Sequence, residues 1–127
     1  GQALRGDPIQ VYGTGEQRRC FCIVHDTVRA VMGLMAEERA WGEPFNIGSE
    51  DEITMLGLAQ KVKDRLGSTS PIEIIPYEVA YGEGFEDMER RQPDTAKIRD
   101  LIGWKPEHDL DQIIDATAAH MRAGSRV

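Results

Sequence analysis

The sequence is poor in cysteine, has no long apolar run and carries no excess of basic charge. Its two cysteines, Cys20 and Cys22, are two positions apart on a predicted strand, so their side chains share one face and do not easily form a disulfide bond. A reducing compartment is therefore expected. No apolar segment approaches the roughly 18 residues that span a bilayer, and no charged-then-apolar leader opens the chain. We expect a soluble, cytoplasmic protein with no membrane partner.

The charge balance excludes another class of function. With 15 basic and 22 acidic residues, the formal net charge is −7 and the isoelectric point is near 4.9. A general nucleic-acid surface carries a basic excess, so nucleic acid is not expected as a partner. Any binding of an anion must therefore be local.

The 127 residues suit one domain with its own core, and we expect a single domain over residues 1–127. Strand and helix patterns alternate, which predicts an α/β (α+β) fold with short strands and about four helices. The strands are predicted from runs of β-branched and aromatic residues that end at turn residues. They are Ile9–Gly13, Cys20–Val24, Pro44–Gly48 and Ile72–Tyr77.

Apolar residues at helical spacing, bounded by residues typical of helix ends, predict the helices. The best-defined helix has Thr54 as its N-cap and Gly67 as its C′ residue. Another helix is predicted to begin at Asp26 as N-cap and to end near Glu38. Its recurring apolar residues are Val28, Val31, Met32 and Met35.

The second half of the chain carries two further helices and a loop. Asp94 is predicted to cap a short helix that ends before Gly103. Apolar residues from Leu110 to Met121 predict a C-terminal helix that frays into residues 122–127. The segment Val79–Gln92 has no steady period and contains two glycines, so it indicates a loop.

Gly13 and Gly15 could be taken for a phosphate-binding loop. A dinucleotide-binding turn needs G-x-G-x-x-G between a strand and a helix, and a P-loop needs G-x-x-x-x-G-K-[ST]. Here a strand is predicted after the glycines, and neither pattern is present. The two glycines therefore indicate a plain turn.

Two pairs of adjacent arginines are more informative than the glycines. Arg18 and Arg19 lie at the start of a strand, and Arg90 and Arg91 lie just before a helix. Guanidinium groups bind phosphate through paired, charge-assisted hydrogen bonds, and a helix N-terminus also favours an anion. If the loop folds back, both pairs face one diphosphate. The alternative is that the pairs neutralise nearby acids. Those acids are Glu16, Asp87 and Glu89.

Other constellations of reactive residues are weaker. Cys20, Cys22 and His25 form a C-x-C-x-x-H fragment, but no second cluster supplies further ligands, so no metal site is predicted. His108 and His120 are expected to be solvated. No nucleophile elbow supports a Ser-His-Asp hydrolase.

Several segments together resemble the part of extended short-chain dehydrogenase/reductase enzymes that follows their catalytic core. In order, they are ALRGDPIQVYGTGEQRRCFCIVHDTV, EPFNIGSEDEITMLGLAQKV, YGEGFEDMERRQPD, TAKIRDLIGWKP and LDQII. These enzymes are NAD-dependent nucleotide-sugar epimerases, dehydratases and decarboxylases, such as UDP-glucose 4-epimerase and UDP-glucuronate decarboxylase. The resemblance covers nearly the whole chain, and the motifs are specific when taken together.

The resemblance implies a site for the nucleotide diphosphate of a nucleotide-sugar, with a UDP-sugar favoured. The family's Q-x-R motif maps onto Gln17 and Arg19 and places the arginine on the diphosphate. The R-x-P-D motif maps onto Arg91, as a second diphosphate ligand, and onto Asp94, near the ribose. The residues implied to lie beside the nucleobase are Val11 and Tyr12.

The chain also departs from the family's usual pattern. His25 stands where Asp, Ser or Asn is usual, Ile23 where Tyr is common, and Thr14 where Asp is common. Gln92 stands where a basic or apolar residue is usual, and Arg18 where Thr is frequent, so Arg18 is expected to be solvated. None of these departures removes an implied phosphate ligand, but they leave the sugar and the subfamily open.

Two parts of the family's machinery are not found in these residues. Family members bind NAD in an N-terminal Rossmann domain and use a Tyr-x-x-x-Lys pair for catalysis. Here the residues four places after the three tyrosines are Glu16, Tyr81 and Phe85, so the pair is absent. Without it no base deprotonates a sugar hydroxyl, and without the Rossmann turn no nicotinamide accepts the hydride. We expect no catalytic residues, no cofactor bound by these residues, and no turnover by them alone.

Three functions remain open at this point. The chain is the C-terminal, substrate-binding portion of such an enzyme, a free-standing binding or protein-interaction module that kept the fold, or a half-enzyme completed by a separate Rossmann chain. In the family this segment packs against the Rossmann domain, so apolar surface is expected to be uncovered here. That surface predicts self-association or a swapped arrangement.

Overall fold

A computed structural model describes residues 1–82, 84–85 and 87–124 of the chain. Helices and short strands alternate along it, which confirms the mixed α/β fold class. The elements are α1 (Gln2–Arg5), β1 (Ile9–Tyr12), β2 (Arg18–Cys20), α2 (Val24–Met35), a 3₁₀ turn (Glu38–Ala40), β3 (Glu52–Thr54), α3 (Met55–Leu66), β4 (Ile72–Ile75), α4 (Tyr77–Tyr81), β5 (Arg90–Arg91), α5 (Ala96–Ile102) and α6 (Leu110–Arg122).

The chain divides into two compact units. The first unit contains residues 1–19, 53–91 and the residues from 114 onward, and the second contains residues 20–52 and 92–113. Each unit therefore draws on segments that are distant in the sequence. The expectation of a single domain over residues 1–127 stays a prediction.

The first unit is built on parallel strand pairs. β1 pairs with β4 from Ile9 opposite Ile72 to Tyr12 opposite Ile75. β2 lies between β3 and β5 in a separate three-stranded sheet. The buried apolar residues of this unit are Val11, Ala59, Ile114 and Ala118.

α3 has both of its predicted ends. The hydroxyl of Thr54 accepts a hydrogen bond from the backbone N–H of Gly57 at 3.0 Å, and Gly67 ends the helix in the left-handed region with φ of 60°. A threonine at the N-cap and a glycine after the last turn satisfy backbone groups that the helix itself cannot pair. The predicted boundaries of this helix are confirmed.

The second unit has a small apolar core. Its buried members are Ala30, Ile98 and Trp104. The partly buried residues packed against them are Cys22, Leu34, Phe45, Ile47 and Ile102. Cys20 and Cys22 are both free and partly buried.

A buried carboxylate joins α2 to the segment that precedes α6. Asp26 is 1% exposed, and its Oδ2 accepts hydrogen bonds from the backbone N–H groups of Glu107 and His108, each at 3.1 Å. Nδ1 of His108 lies 3.1 Å from the same oxygen, and Arg29 donates to Oδ1 at 3.2 Å. Burial raises the pKa of this carboxyl, but the hydrogen bonds from His108, Arg29 and Glu107 outweigh burial and hold the pKa below its ordinary value.

The prediction that Asp26 is an N-cap was wrong, and so was the strand predicted over Cys20–Val24. The helix begins at Val24 after Ile23, which places Asp26 in its first turn. The strand is Arg18–Cys20 instead. A short apolar run does not distinguish a strand from an irregular segment that enters a core. The helix ends at Met35, and Glu38 begins the 3₁₀ turn.

No strand forms over residues 44–48, all of which lie in the described part of the chain. Phe45 and Ile47 contact the core of the second unit without joining a sheet. The alternation of apolar residues in this segment therefore reflects burial of every second side chain. An extended segment outside a sheet has the same side-chain period as a strand.

The segment predicted as a loop over Val79–Gln92 is only partly irregular. α4 begins at Tyr77, directly after Pro76, which also ends β4 at Ile75. β5 closes the segment, and Glu83 and Glu86 lie outside the described residues. The prediction of a featureless loop was therefore wrong at both of its ends.

The short helix near Asp94 is capped one residue later than predicted. Its N-cap is Thr95, while the Asp94 carboxylate accepts a hydrogen bond from the Ala96 backbone at 2.9 Å. Its end at Gly103, with φ of 69°, is as predicted. α6 begins at Leu110 as predicted. Fraying was predicted over residues 122–127, but the helix includes Arg122, residues 123–124 form a turn, and residues 125–127 lie outside the described residues. α1 was not predicted.

One face of α2 is apolar and exposed. The apolar stripe consists of Val24, Val28, Val31, Met32 and Met35, which are between 44% and 71% exposed. Asp26 and Ala30, on another face, are the buried residues of this helix. The apolar residues of α2 thus have the predicted helical spacing, but the described residues of the second unit do not cover them. Within the described part of the chain, no helix is long and apolar enough to cross a membrane.

Candidate functional site

The first unit contains a cavity of about 930 Å³. This volume is in the range of pockets that bind small molecules and cofactors. Three segments line it: the β1–β2 turn with the start of β2, the start of α4, and the residues that lead into β5. The lining residues are Gly13, Thr14, Glu16, Gln17, Arg18, Pro76, Tyr77, Glu78, Phe85, Asp87, Glu89 and Arg90.

The β1–β2 turn is shaped by its two glycines. Gly13 has φ of 73° and Gly15 has φ of 80°, backbone angles that residues with a side chain rarely adopt. A Cβ atom on Gly13 would lie 2.5 Å from the ring of Tyr77. The prediction of a turn between two strands is confirmed, and the space beside Gly13 is filled by an aromatic ring.

Four polar side chains form a continuous network beside this turn. The Gln17 side-chain amide donates to the Tyr77 hydroxyl at 2.9 Å, and the Tyr77 hydroxyl donates to Asp87 Oδ2 at 3.1 Å. The Arg19 guanidinium donates to the same oxygen at 2.6 Å. We call this set of residues, Gln17, Tyr77, Asp87 and Arg19, the polar network.

The Tyr77 hydroxyl keeps its proton in this setting. Burial raises the pKa of Tyr77, and the hydrogen bond to Asp87 and its negative charge raise it further. The Arg19 charge lowers it by less. The hydroxyl is therefore protonated at neutral pH, as its donation to a carboxylate requires.

Arg19 is held at two points. Its Nη1 donates to the backbone oxygen of Arg18 at 2.7 Å, and its Nη2 forms the ion pair with Asp87. The two paired side chains are 19% and 28% exposed. This ion pair agrees with the alternative interpretation, in which nearby acids neutralise the arginines. Since a guanidinium has five N–H groups, three remain without a partner among the described residues.

The arginine pairs face each other across neighbouring strands. In the parallel pairing of β2 and β5, Arg18 lies opposite Arg90 and Arg19 lies opposite Arg91. Such residues are roughly 4.8 Å apart, and like charges directly opposite one another are destabilising. Because side chains alternate along a strand, Arg19 and Arg91 share one face of this pair of strands. The ion pair of Arg19 with Asp87 offsets part of this repulsion, and a bound anion would offset more of it.

Negative charge also surrounds the site. The cavity lining carries two guanidiniums, Arg18 and Arg90, against four carboxylates. Those carboxylates belong to Glu16, Glu78, Asp87 and Glu89. Attraction of an anion to Arg19 and Arg91 therefore does not depend on this cavity, whose lining includes neither of them.

The other residues implied by the sequence lie in different settings. Val11 is 5% exposed and is packed beneath Gly15, whose added Cβ would lie 3.1 Å from its side chain. Tyr12 is 36% exposed, its hydroxyl donates to Gln10, and its ring lies 5.7 Å from that of Tyr81. Neither Val11 nor Tyr12 lines the cavity. Their contact with a nucleobase stays a prediction.

Asp94 belongs to the second unit. Its backbone oxygen accepts a hydrogen bond from Asn46 at 3.1 Å, and its side chain faces the start of α5. With Glu50, Gln92 and Pro93 it lines a smaller cavity of about 260 Å³. Its contact with a ribose stays a prediction.

Sequence reasoning missed Tyr77 and the position of Asp87. Tyr77 was placed at the end of a strand, and Asp87 was considered only as a neutralising acid. The available signal was the spacing of Tyr77 and Tyr81, four residues apart, which is that of a helix face. Tyr81 also stacks on Phe85 with ring centroids 4.4 Å apart. Among the described residues, no three His, Cys, Asp or Glu side chains are arranged to hold a metal ion.

Comparison with known proteins gives consistent matches over nearly the whole chain. The family described as GDP-mannose 4,6 dehydratase matches residues 2–117. UDP-N-acetyl-alpha-D-glucosaminuronate decarboxylase from Bacillus cytotoxicus is 38% identical over 120 residues, which are 94% of this chain and 37% of that protein. UDP-glucuronic acid decarboxylase 2 from Arabidopsis thaliana is 40% identical over 111 residues, 87% of this chain and 23% of that protein. The chain thus spans well under half of these relatives.

Solved structures share the fold. UDP-glucose 4-epimerase from Thermotoga maritima, determined with UDP-glucose, has a TM-score of 0.84 and 27% identity over 97% of this chain and 37% of that chain. UDP-glucuronic acid 4-epimerase from Bacillus cereus, in complex with UDP-glucuronic acid and NAD, has a TM-score of 0.83 and 18% identity. That match covers 98% of this chain and 38% of the epimerase. At this identity it shows the shared fold alone.

Proposed function

Because this chain belongs to the GDP-mannose 4,6 dehydratase family of NAD-dependent nucleotide-sugar epimerases, dehydratases and decarboxylases, we propose that it binds the nucleotide diphosphate of a nucleotide-sugar. In this proposal it is the C-terminal, substrate-binding portion of such an enzyme. A UDP-sugar is the favoured ligand, since the similar decarboxylases and the Thermotoga maritima epimerase carry UDP-sugars in their names. Arg19 and Arg91 bind the diphosphate.

The observation that carries this proposal is the register of β2 and β5. It places the two arginines that the family motifs single out directly opposite each other, on one face of the pair of strands. Like charges on directly opposite residues repel each other, the ion pair of Arg19 with Asp87 offsets part of this repulsion, and two guanidiniums on one face match the oxygens of a diphosphate.

NAD does not fit the glycine turn of this chain. A dinucleotide-binding turn leads from a strand into a helix, whereas this turn joins β1 to β2 and has the Tyr77 ring against Gly13. The 127 residues also contain no Tyr-x-x-x-Lys. We therefore propose that they bind and orient substrate, and that the cofactor and the catalytic base are supplied by other residues.

A titration with UDP tests the proposal directly. We expect saturable changes in backbone amide chemical shifts, centred on β2 and β5, with a Kd of about 1 mM, because these residues form only part of a pocket. Uridine, which lacks the diphosphate, should bind at least tenfold more weakly, since the arginine contacts are lost. ADP and GDP report how strongly the base is selected. Absence of UDP-dependent shifts at about 10 mM ligand, ten times the expected Kd, would contradict the proposal.

We also propose that the isolated chain self-associates through the apolar stripe of α2. Burying such a stripe against a second copy removes apolar surface from water at about 25 cal/mol per Å². Sedimentation velocity over a wide range of concentration should show dimers or larger species. Replacing Val28 and Met32 together by Glu should shift the population to monomer, because two charges cannot be buried in this contact.

A matched control for the stripe lies on α6. Replacing Ala116 and Ala119 together by Glu adds the same charge at exposed positions and should leave the association unchanged. A monomeric wild-type chain at every concentration, or equal association of the two double variants, would show that the stripe is not the contact.

A further inference from the structure

We infer that Tyr77 is a positioning residue of the nucleotide site, because its hydroxyl joins Gln17 to Asp87 and thereby fixes the guanidinium of Arg19. No family motif quoted above includes this residue. The inference rests on the proposed function and deepens it, since it assigns the residue that sets the orientation of Arg19, which is proposed to bind the diphosphate.

The direction of every hydrogen bond in the polar network is determined by the groups themselves. The Gln17 amide nitrogen also donates to the backbone oxygen of Tyr12 at 2.8 Å, which fixes the orientation of that amide. Tyr77 therefore accepts from Gln17 and has one proton left, which it gives to the carboxylate of Asp87. Arg19 can only donate. A network in which each group has one role holds its members in a single arrangement.

This arrangement prepares Arg19 for a ligand. Contacts to the Arg18 backbone oxygen and to Asp87 hold both terminal nitrogens of a planar group, so the plane of the guanidinium is set. A diphosphate then meets an arginine that does not need to be ordered on binding. The two amide protons of Gln17 are used by the Tyr77 hydroxyl and by the Tyr12 backbone oxygen, so Gln17 supports Tyr77 and has no proton left to donate to phosphate.

Gly13 makes the position of Tyr77 possible. The Tyr77 ring lies where a Cβ atom of residue 13 would be, at 2.5 Å, and the backbone there has φ of 73°. A larger residue would strain the turn and displace the ring. The first glycine of YGTG therefore serves to seat a tyrosine, which explains a glycine-rich turn that is not a phosphate loop.

The first test removes only the hydroxyl. Tyr77→Phe should weaken UDP binding by about fivefold, as expected for loosening a charged ligand group without removing it. Tyr81→Phe is the matched control, because Tyr81 lies on the same helix and its hydroxyl is outside the polar network, and it should bind UDP as wild type does. Gly13→Ala should weaken binding in the same direction as Tyr77→Phe.

A double-variant comparison separates positioning from independent contacts. Asp87→Asn should also weaken UDP binding. The double variant Tyr77→Phe with Asp87→Asn should have the same UDP affinity as the single variant with the larger loss, because both substitutions release the same arginine. Losses that multiply in the double variant would overturn the inference.

A readout without nucleotide distinguishes failure of the inference from failure of the proposed function. The Nε–Hε NMR signal of Arg19, identified by its loss in Arg19→Lys, should be shifted from that of free arginine in wild type and move towards it in Tyr77→Phe. If this occurs but wild type binds no UDP, the proposed function fails while the role of Tyr77 in fixing Arg19 stands. An unmoved signal in Tyr77→Phe overturns the inference, and so does a moved signal with unchanged UDP affinity.

Discussion

Replacing Asp26 by alanine is expected to destabilise the chain by about 3–5 kcal/mol, the cost of breaking a buried ionic and hydrogen-bonded group. The Asp26 side chain is 2% exposed. Its carboxylate accepts hydrogen bonds from the backbone N–H groups of Glu107 and His108 and contacts the side chains of Arg29 and His108. Without it, the two partly buried backbone N–H groups lose their partner, and the more exposed side chains of Arg29 and His108 lose one contact each. Stabilities of domains are only about 5–15 kcal/mol, so the second unit should be largely unfolded or close to it.

Urea denaturation followed by tryptophan fluorescence measures this effect, because Trp104 is 3% exposed and lies in the core of the same unit. Asp100→Ala is the matched control, since Asp100 is exposed on α5 and its loss should change stability by less than about 0.5 kcal/mol. Equal denaturation midpoints for the two variants would show that Asp26 does not hold this unit together.

Acid should act on the same group. The hydrogen bonds keep the folded pKa of Asp26 below its ordinary value of 3.8, despite the opposing effect of burial. A carboxyl whose folded pKa is lowered contributes stability that is complete above its unfolded pKa and is lost as the pH falls through the folded one. Wild type should therefore lose stability below about pH 3.8, and Asp26→Asn should lose less over the same interval. Parallel acid transitions would contradict this.

Replacing Arg19 by alanine is expected to abolish measurable UDP binding. Each hydrogen bond to a charged group contributes about 1.5–3 kcal/mol, so loss of one contact alone weakens binding roughly 10- to 150-fold. The substitution also leaves Asp87 without its cationic partner, so a diphosphate meets uncompensated negative charge. Both effects act in the same direction. The measurement is the UDP titration, at ligand concentrations that saturate wild type.

Three variants make this result specific. Arg5→Ala removes an exposed arginine paired with Asp7 in the same unit and should leave binding unchanged. Arg18→Ala should cause a smaller loss than Arg19→Ala, because Arg18 lies on the other face of β2. Adding Asp87→Asn to Arg19→Ala should restore part of the affinity by removing the uncompensated charge. Equal losses in Arg18→Ala and Arg19→Ala would contradict the assignment of the diphosphate to Arg19.

Elements with local determinants were predicted correctly from the sequence. α3 has its N-cap, its apolar residues and its terminal glycine within 14 consecutive residues, from Thr54 to Gly67, and both ends were right. The ends of α2 were wrong for the opposite reason. Asp26 is a strong N-cap type, but its carboxylate binds backbone groups about 80 positions away, and no local rule registers a partner at that distance.

The candidate site divides in the same way. The arginines and the glycine turn are visible in the sequence, and the resemblance to a family singled out Arg19 and Arg91. Tyr77 was missed, because its role depends on a missing Cβ at Gly13 and on a carboxylate ten residues beyond it in a segment without a regular pattern. Asp87 was considered as a partner for arginine, but the sequence did not say for which one.

The sequence by itself determined the family, the mixed fold class, the helix with both of its caps and the presence of two arginine pairs in an acidic chain. These follow from composition, from motifs and from interactions between residues close in the chain. Only the tertiary structure decided that β2 pairs with β5 so that Arg19 lies opposite Arg91, that Arg19 and Tyr77 both donate to Asp87, and that the apolar face of α2 is exposed. The physical reason is that strand register, ion pairing and burial are properties of contacts between distant segments. A residue's type limits which contacts it can make, but the fold decides which of them it does make.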